Sequence, residues 1–195
     1  MMKIGMFMMK KKVLPLIVAG MLSAPFANAS SLSYGLESAD MTASGVSFTG
    51  LAYGIGLTLD ITDEVSATAS YTNGDLTYQS ITADFSGTTI GLRYSFDVSD
   101  DVDVYLGATN SNVKVDFSAS GYTASATDSG TAISVGIIAN ISDTSDFTLG
   151  VTSSDGDTST KAGVSFEVFE DMDMNLSITN GDGFTAYGFG LTENF

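Results

Sequence analysis

The feature that most constrains this chain is the strict alternation of large apolar residues with small or polar ones, which recurs from residue 31 to residue 195. Residues 50–59 show it most clearly, in the run Gly-Leu-Ala-Tyr-Gly-Ile-Gly-Leu-Thr-Leu. A helix, with a period of about 3.6 residues, cannot produce this pattern, whereas a strand with two different faces must. The sequence therefore predicts an all-β fold.

Two kinds of connection separate the alternating runs and follow each other in turn, as in a meander of hairpins. Short acidic turns lie near residues 62–64, 99–101, 142–146 and 170–171, and looser polar connections near 42–45, 73–79, 118–129, 154–159 and 180–183. The runs between them predict ten strands, at about 31–41, 47–60, 65–73, 83–97, 102–112, 130–141, 146–153, 160–169, 172–179 and 184–195. We predict one domain over residues 30–195, an antiparallel up-and-down β-barrel of eight to ten strands, with ten the best count.

The fifth run changes its apolar parity partway along. Val104 and Leu106 share one parity, whereas Val113 and Val115 take the other. A β-bulge near residues 110–112 would account for this, and so would a strand end that projects above a bilayer.

Alternation alone does not say which face points inward, because a soluble barrel buries its apolar face and a membrane barrel turns it to lipid. Most apolar runs are near the 9 to 11 residues of a tilted membrane strand. The other parity is mostly Gly, Ala, Ser and Thr, and charges are almost confined to turns and loops. These observations favour a transmembrane barrel, with a soluble secreted β-domain as the alternative.

The N-terminus has the three parts of a secretory signal, with basic residues 10–12, an apolar run at 13–22 and a small-residue site at 27–29. We predict a cleaved signal peptide at residues 1–29, starting at Met1 or Met9. Cleavage removes four of the seven basic residues and none of the 23 acidic ones, so the mature net charge is −20. Such a surface repels nucleic acid and attracts cations.

The residue types needed for common catalytic and metal sites are missing. The chain contains neither His nor Cys, which removes the usual nucleophilic triads and zinc ligand sets. We therefore predict no catalytic residues, no metal site, no cofactor and no enzyme activity. Asp-rich tips at residues 73–75, 154–157 and 180–183 could attract cations such as Ca²⁺, although Asn-Gly and Asp-Gly are also preferred in tight turns.

Four charged residues share the parity of the small side chains: Glu37, Arg93, Lys161 and Glu167. In a membrane barrel this parity faces the lumen, where isolated charges are costly and must pair. The cluster is either an ion-pair gate of a small pore or a permanent plug of the lumen.

The chain ends Tyr187-Gly-Phe189-Gly-Leu191-Thr-Glu-Asn-Phe195. This resembles the terminal strand of Gram-negative outer-membrane proteins, in which a final Phe and alternating apolar residues are recognised by the barrel-assembly machinery. Glu193 departs from that pattern. The whole mature chain resembles the small barrel families of the OmpX, OmpA membrane-domain and opacity-protein type. The resemblance implies a cell outer membrane location among lipid and lipopolysaccharide, periplasmic termini, short inner turns and longer outer loops.

Three functions remain open on the sequence. The first is an outer-membrane barrel with a structural or surface-interaction role and a largely filled lumen. The second is a narrow, porin-like channel that prefers cations because of the acidic charge. The third is the soluble secreted domain.

Overall fold

In the computed structural model, residues 30–43, 46–79, 81–119 and 122–195 are described. They form ten strands: β1 Ser31–Ala43, β2 Val46–Asp60, β3 Val65–Tyr78, β4 Ile81–Ser99, β5 Val102–Ala119, β6 Tyr122–Ser142, β7 Ser145–Ser154, β8 Asp157–Phe169, β9 Met172–Gly181 and β10 Phe184–Asn194. The predicted signal peptide, with both candidate start residues, lies outside the described part of the chain. None of the described residues forms a helix long and apolar enough to cross a membrane.

The sheet closes on itself. Each strand pairs antiparallel with its neighbours in sequence, and β1 pairs with β10 from Ser31↔Asn194 to Met41↔Phe184. A closed antiparallel barrel has no open edge around its circumference and satisfies its backbone groups within the ladder. The prediction of a ten-strand up-and-down barrel is confirmed.

The barrel has two distinct ends. We call the end that holds Ser30 and Phe195 the terminal end, where Phe195 N donates to Ser30 O at 2.9 Å. The turns at 61–64, 100–101, 143–144 and 170–171 lie at the same end. The opposite end, which we call the loop end, includes the tight turns at Asp155–Gly156 and Asp182–Gly183. Asp155 and Gly156 both have positive φ, 51° and 93°, as a two-residue type I′ hairpin requires.

Several segments that we predicted as polar connections are strand instead. Residues 73–78 belong to β3, and nearly all of the predicted loop at 118–129 belongs to β5 and β6. The expected turn at Asn73-Gly74-Asp75 is therefore wrong, because these residues pair with both β2 and β4. The reason is that Ser, Thr and Asp also suit the solvated face of a strand outside a membrane.

The predicted bulge near residues 110–112 is absent. β5 pairs without interruption with β4 from Ile81↔Ala119 to Asp97↔Asp103, and with β6 along its whole length. Val113 and Val115 face inward and are 0% and 2% exposed, whereas Leu106 faces outward. The change of apolar parity therefore reflects a change of environment along a regular strand.

The inward-facing apolar side chains at the loop end form a core inside the barrel. The cluster contains Ala39, Met41, Phe48, Ala52, Leu76, Ala83, Phe85, Val113, Val115, Phe184 and Ala186, with Tyr78, Ile81 and Phe117 packed against it. The Phe48 and Tyr78 rings lie 5.7 Å apart between centroids. This end of the barrel is thus built like a soluble β-domain, with apolar residues inside.

Val113→Asp tests the orientation of β5 at the loop end. The substitution places a carboxylate in the apolar core, so we expect the free energy of unfolding to fall by about 3 kcal/mol or more. The measurement is urea unfolding of the detergent-solubilised protein, in which the folded fraction at each urea concentration is read from gel mobility without heating. Asn112→Asp is the matched control, because Asn112 is exposed on the outer face of the same strand; its expected effect is about 0.5 kcal/mol or less. Equal losses in the two variants would contradict the orientation.

Candidate functional site

The outer face of the barrel carries a continuous apolar band next to the terminal end. Every strand contributes outward apolar side chains to it, including Leu36, Leu51, Tyr53, Ile90, Leu92, Leu106, Ile133, Val135, Val151, Leu176, Ile178 and Phe189, all exposed. Among the described residues, outward carboxylates border the band at Asp75, which lies opposite Leu51, and at Glu193 near the terminal end. A band of exposed apolar side chains on a closed barrel is the surface that contacts lipid.

The band ends sharply towards the loop end, at a line that we call the polarity boundary. On neighbouring strands, Leu92↔Ala108 is the last fully apolar outward pair of β4 and β5, and the next pair is Ile90↔Asn110. Between β9 and β10, Ile178↔Tyr187 is followed by Asn180↔Thr185. Beyond this boundary the outward side chains are polar, so the strands leave the apolar part of the bilayer there.

The strands extend beyond the polarity boundary by very different lengths. β5 and β6 continue through residues 110–119 and 122–131, which we call the projecting hairpin. β7 and β8, in contrast, turn at Asp155–Gly156 soon after crossing the boundary. The loop end is therefore tall on one side and low on the other.

The outer face of the projecting hairpin holds an ion pair. Lys114 Nζ lies 2.7 Å from Asp116 Oδ2, and both side chains are about half exposed. Ser125 Oγ also donates to Asp116 Oδ1. The hydrogen bond from Lys114, followed by that from Ser125, lowers the pKa of the Asp116 carboxyl below its ordinary value. At this exposure the pair adds little stability.

Three of the four predicted lumen charges lie together inside the barrel. Glu37 is 8% exposed and interacts electrostatically with Lys161 from across the lumen. Lys161 also lies within electrostatic range of Arg93. A Cβ on Gly188 would lie only 3.0 Å from Glu37 Oε1, so the glycine leaves the space that the carboxylate occupies. The structure thus places these three residues on the inward face.

Tyr105 is part of this polar layer and was not singled out from the sequence. Its ring lies under the Arg93 guanidinium, with Arg93 Cζ 4.8 Å from the ring centroid. The phenol lies over Gly136 and Gly150, where an added Cβ on either would overlap it. The available signal was its parity, because Tyr105 alternates with the outward Val104 and Leu106.

Glu167 does not join the other three charges. It has the inward parity of β8, but it lies exposed near the terminal end and pairs in register with Asp173. Other carboxylates share its inward parity at this mouth: Asp60, Asp97, Asp103, Asp146 and Asp173. Asp146 interacts electrostatically with Asp173 and Asp103, and Asn194 Nδ2 donates to Asp173 Oδ2 at 2.9 Å. We call this ring of side chains the acidic mouth.

Three of the residues proposed as an assembly signal lie on the outer face of β10, and the fourth, Phe195, follows the end of that strand. Tyr187, Phe189, Leu191 and Phe195 are 55%, 43%, 37% and 72% exposed. Among the described residues, no group of three or more acidic side chains has the geometry to hold a metal ion.

A family model described as "Outer membrane protein beta-barrel domain" matches residues 14–195. No curated protein matches the chain.

Solved barrels resemble the chain at low sequence identity. The translocator domain of the autotransporter NalP from Neisseria meningitidis has a TM-score of 0.58 and 11% identity, covering 94% of each chain. Neisserial surface protein A has a TM-score of 0.51 and 14% identity, covering 87% of this chain and 98% of that one. The KdgM porin in complex with disordered oligogalacturonate has a TM-score of 0.52 and 13% identity, covering 85% and 99%. At these identities the likeness establishes the fold alone.

The alternative of a soluble secreted domain is wrong. Its apolar face would have to be buried inside the barrel, but in the band this face points outward and is exposed. The family match spans nearly the whole chain. The chain belongs to the outer membrane protein beta-barrel domain family, and its location is the outer membrane.

Proposed function

We propose that this protein has a structural or surface-interaction role, without enzymatic activity, and that its lumen is largely filled. The apolar core at the loop end is the observation that carries this proposal. Phe48, Phe85 and Val113 come from three strands and pack together inside the barrel. Beneath them, Glu37, Lys161, Arg93 and Tyr105 occupy the lumen with charged and aromatic groups. Ions would have to displace both layers to cross.

The projecting hairpin supports the surface-interaction part of the proposal. In the orientation that the family resemblance implies, with periplasmic termini, the loop end faces the exterior. The hairpin then stands above the lipid and presents polar strands to the surroundings. The proposed partners are the bilayer with its lipopolysaccharide, cations near the acidic groups and, during biogenesis, the barrel-assembly machinery.

A narrow cation channel is the second candidate, and the acidic mouth favours it. Carboxylates ringing a low-dielectric opening raise the local cation concentration. Buried lumen oxygens such as Glu37 Oε2 and Thr72 Oγ1 also have no hydrogen-bond partner among the described residues. Polar atoms of this kind are normally hydrated. One of the similar solved barrels, KdgM, is named a porin.

Conductance in planar bilayers separates the two candidates. For a filled lumen we expect no steady single-channel current from the full-length protein. The double variant Phe48→Ser, Phe85→Ser removes two rings of the core and leaves the charged layer as the main obstacle. Because hydrated cations can displace polar side chains more easily than a packed apolar core, we expect the variant to open a cation-preferring conductance. The single variant Phe85→Ala should give a smaller or intermittent current.

Asp84→Asn is the matched control, since Asp84 precedes Phe85 and is exposed on the outer face. Its conductance should equal that of the unmodified protein. Steady cation-selective current through the unmodified protein would refute the filled lumen and establish the channel. Each variant is first tested for heat-modifiable gel migration, which reports a folded barrel.

Glu37→Gln distinguishes a permanent plug from an ion-pair gate. Loss of the carboxylate leaves the charge of Lys161 poorly compensated, so we expect the free energy of unfolding to fall by about 3 kcal/mol. In the double variant Glu37→Gln, Lys161→Gln part of this loss should be recovered, with a coupling energy of about 1 to 3 kcal/mol. Urea unfolding and conductance are measured on the same preparations.

For a plug, conductance stays at zero in both variants because the apolar core remains in place. A current that appears on Glu37→Gln alone would instead identify a gate. Glu193→Gln is the control, because Glu193 is an exposed glutamate near the terminal end. Its expected effect on stability is about 0.5 kcal/mol or less.

Deletion of Phe195 tests the proposed assembly signal. Because Phe195 is 72% exposed, its loss removes little packing and one terminal backbone bond, to Ser30 O, yet we expect the amount of folded protein in the outer membrane to fall severalfold. Refolding of the same variant into detergent should be unaffected. Phe169→Ala is the control, an aromatic 71% exposed near the same end. Equal losses for both variants, or a refolding defect of the deletion, would contradict a recognition role.

A further inference from the structure

The projecting hairpin leaves one edge of β6 without a neighbouring strand. β6 pairs with β5 through residues 122–131, but in the described part of the chain its pairing with β7 begins only at Ala132↔Ser154. We call residues 122–131 the free edge of β6. An exposed strand edge carries backbone donors and acceptors that can pair with another chain.

The direction of the backbone groups along this edge follows from one hydrogen bond. Ser154 Oγ on β7 donates to Thr131 O at 3.0 Å, so the carbonyl of Thr131 points away from β5. Because backbone groups point to alternate sides along a strand, those of Thr123, Ser125 and Thr127 share this direction. Ser129 does too, and its N–H donates to Asp128 Oδ1 at 3.0 Å.

Of the usual protections against strand addition, the free edge carries only one charged side chain, Asp128. Natural edges are blocked by Lys, Pro, bulges or short length. The sequence Tyr-Thr-Ala-Ser-Ala-Thr-Asp-Ser-Gly-Thr of residues 122–131 contains neither Lys nor Pro, and its register with β5 is unbroken. The side chains between Thr123 and Ala126 are small and exposed. An added strand would therefore meet little steric hindrance.

The surroundings of the free edge are acidic. Asp128 lies on it, and the β7–β8 turn at its base carries Asp155 and Asp157. Asp157 Oδ2 is enclosed and has no hydrogen-bond partner among the described residues. The hairpin's own cation, Lys114, is already engaged with Asp116. A ligand strand with basic side chains would complement this charge.

We propose that the free edge of β6 binds an extended, cationic peptide segment by strand addition. Backbone hydrogen bonds to Thr123, Ser125 and Thr127 supply the affinity, and basic side chains near Asp128 and the β7–β8 turn supply the selectivity. This inference rests on the proposed surface-interaction role and specifies its partner.

The test uses the full-length protein in zwitterionic detergent and a labelled peptide of about ten residues that alternates Lys and Val. Binding is measured by fluorescence anisotropy. We expect saturable binding that weakens as salt is added. A Glu-Val peptide of the same length should not bind, and a Lys-Val peptide N-methylated at every residue should lose binding because neither of its edges can donate a backbone hydrogen bond to the free edge.

Thr127→Pro removes one backbone donor from the free edge without removing a bond to β5. We expect the peptide affinity to fall at least about fivefold, since one ladder bond is lost and the neighbouring backbone is displaced. Thr127→Val is the matched control, because it keeps the N–H and the β-branched shape, and its affinity should stay within about twofold. If Thr127→Pro fails to fold, the N-methylated peptide provides the same test on the unmodified protein.

Equal binding by Thr127→Pro, or equal binding of the N-methylated peptide, would overturn strand addition. Equal binding of the Glu-Val peptide would overturn the cationic partner. If the protein forms a concentration-dependent dimer and Thr127→Pro abolishes it, the partner of the free edge is a second copy of the chain and not a peptide. If the barrel does not conduct and does not bind the peptide, only this inference is refuted. If the barrel conducts, only the filled lumen of the proposed function is refuted.

Discussion

The pairing of β1 with β10 is the interaction on which the rest of the structure depends. It closes the ladder from Ser31↔Asn194 to Met41↔Phe184, and an open seam there would leave backbone groups unpaired in hydrocarbon, at several kcal/mol each. Once the ladder is closed, the backbone hydrogen bonds are satisfied whichever face of a strand carries the apolar side chains. The surroundings of each strand segment decide which face that is, and this lets a single regular strand change its inner and outer chemistry along its length.

β5 makes this change within one unbroken register. Near the terminal end, Leu106 faces lipid while Tyr105 faces a polar lumen; beyond the polarity boundary, Lys114 faces water while Val113 lies in the apolar core. The core thus occurs where the exterior is aqueous, since apolar burial stabilises a fold only where the alternative is water. The loop end gains stability by removing apolar side chains from water, whereas the apolar side chains of the lipid-exposed band stay in contact with lipid.

Strand number and the facing of most side chains could be predicted from the sequence, because period-two alternation survives even when the apolar parity switches. Loop lengths could not. Asn73-Gly74-Asp75 has the composition of a tight turn, yet an added Cβ on Gly74 would lie 2.8 Å from both Ala52 Cα and a Phe85 ring atom. This glycine is needed for close packing of β2, β3 and β4. The Ser and Thr residues of the projecting hairpin suggested a polar connection for a similar reason, since solvated strands and loops share a composition.

The candidate site could be predicted only one residue at a time. Parity placed Glu37, Arg93 and Lys161 on the lumen face, but their meeting depends on which strands oppose each other across the barrel, and a strand list does not contain that. Glu167 has the same parity and lies at the mouth, because its position along β8 sets its depth. The depth of a charged residue in the barrel also determines whether its charge requires a neighbouring opposite charge. Glu37 lies beneath the apolar core and away from solvent, where a carboxylate without a nearby cation is costly. Glu167, by contrast, remains exposed at the mouth.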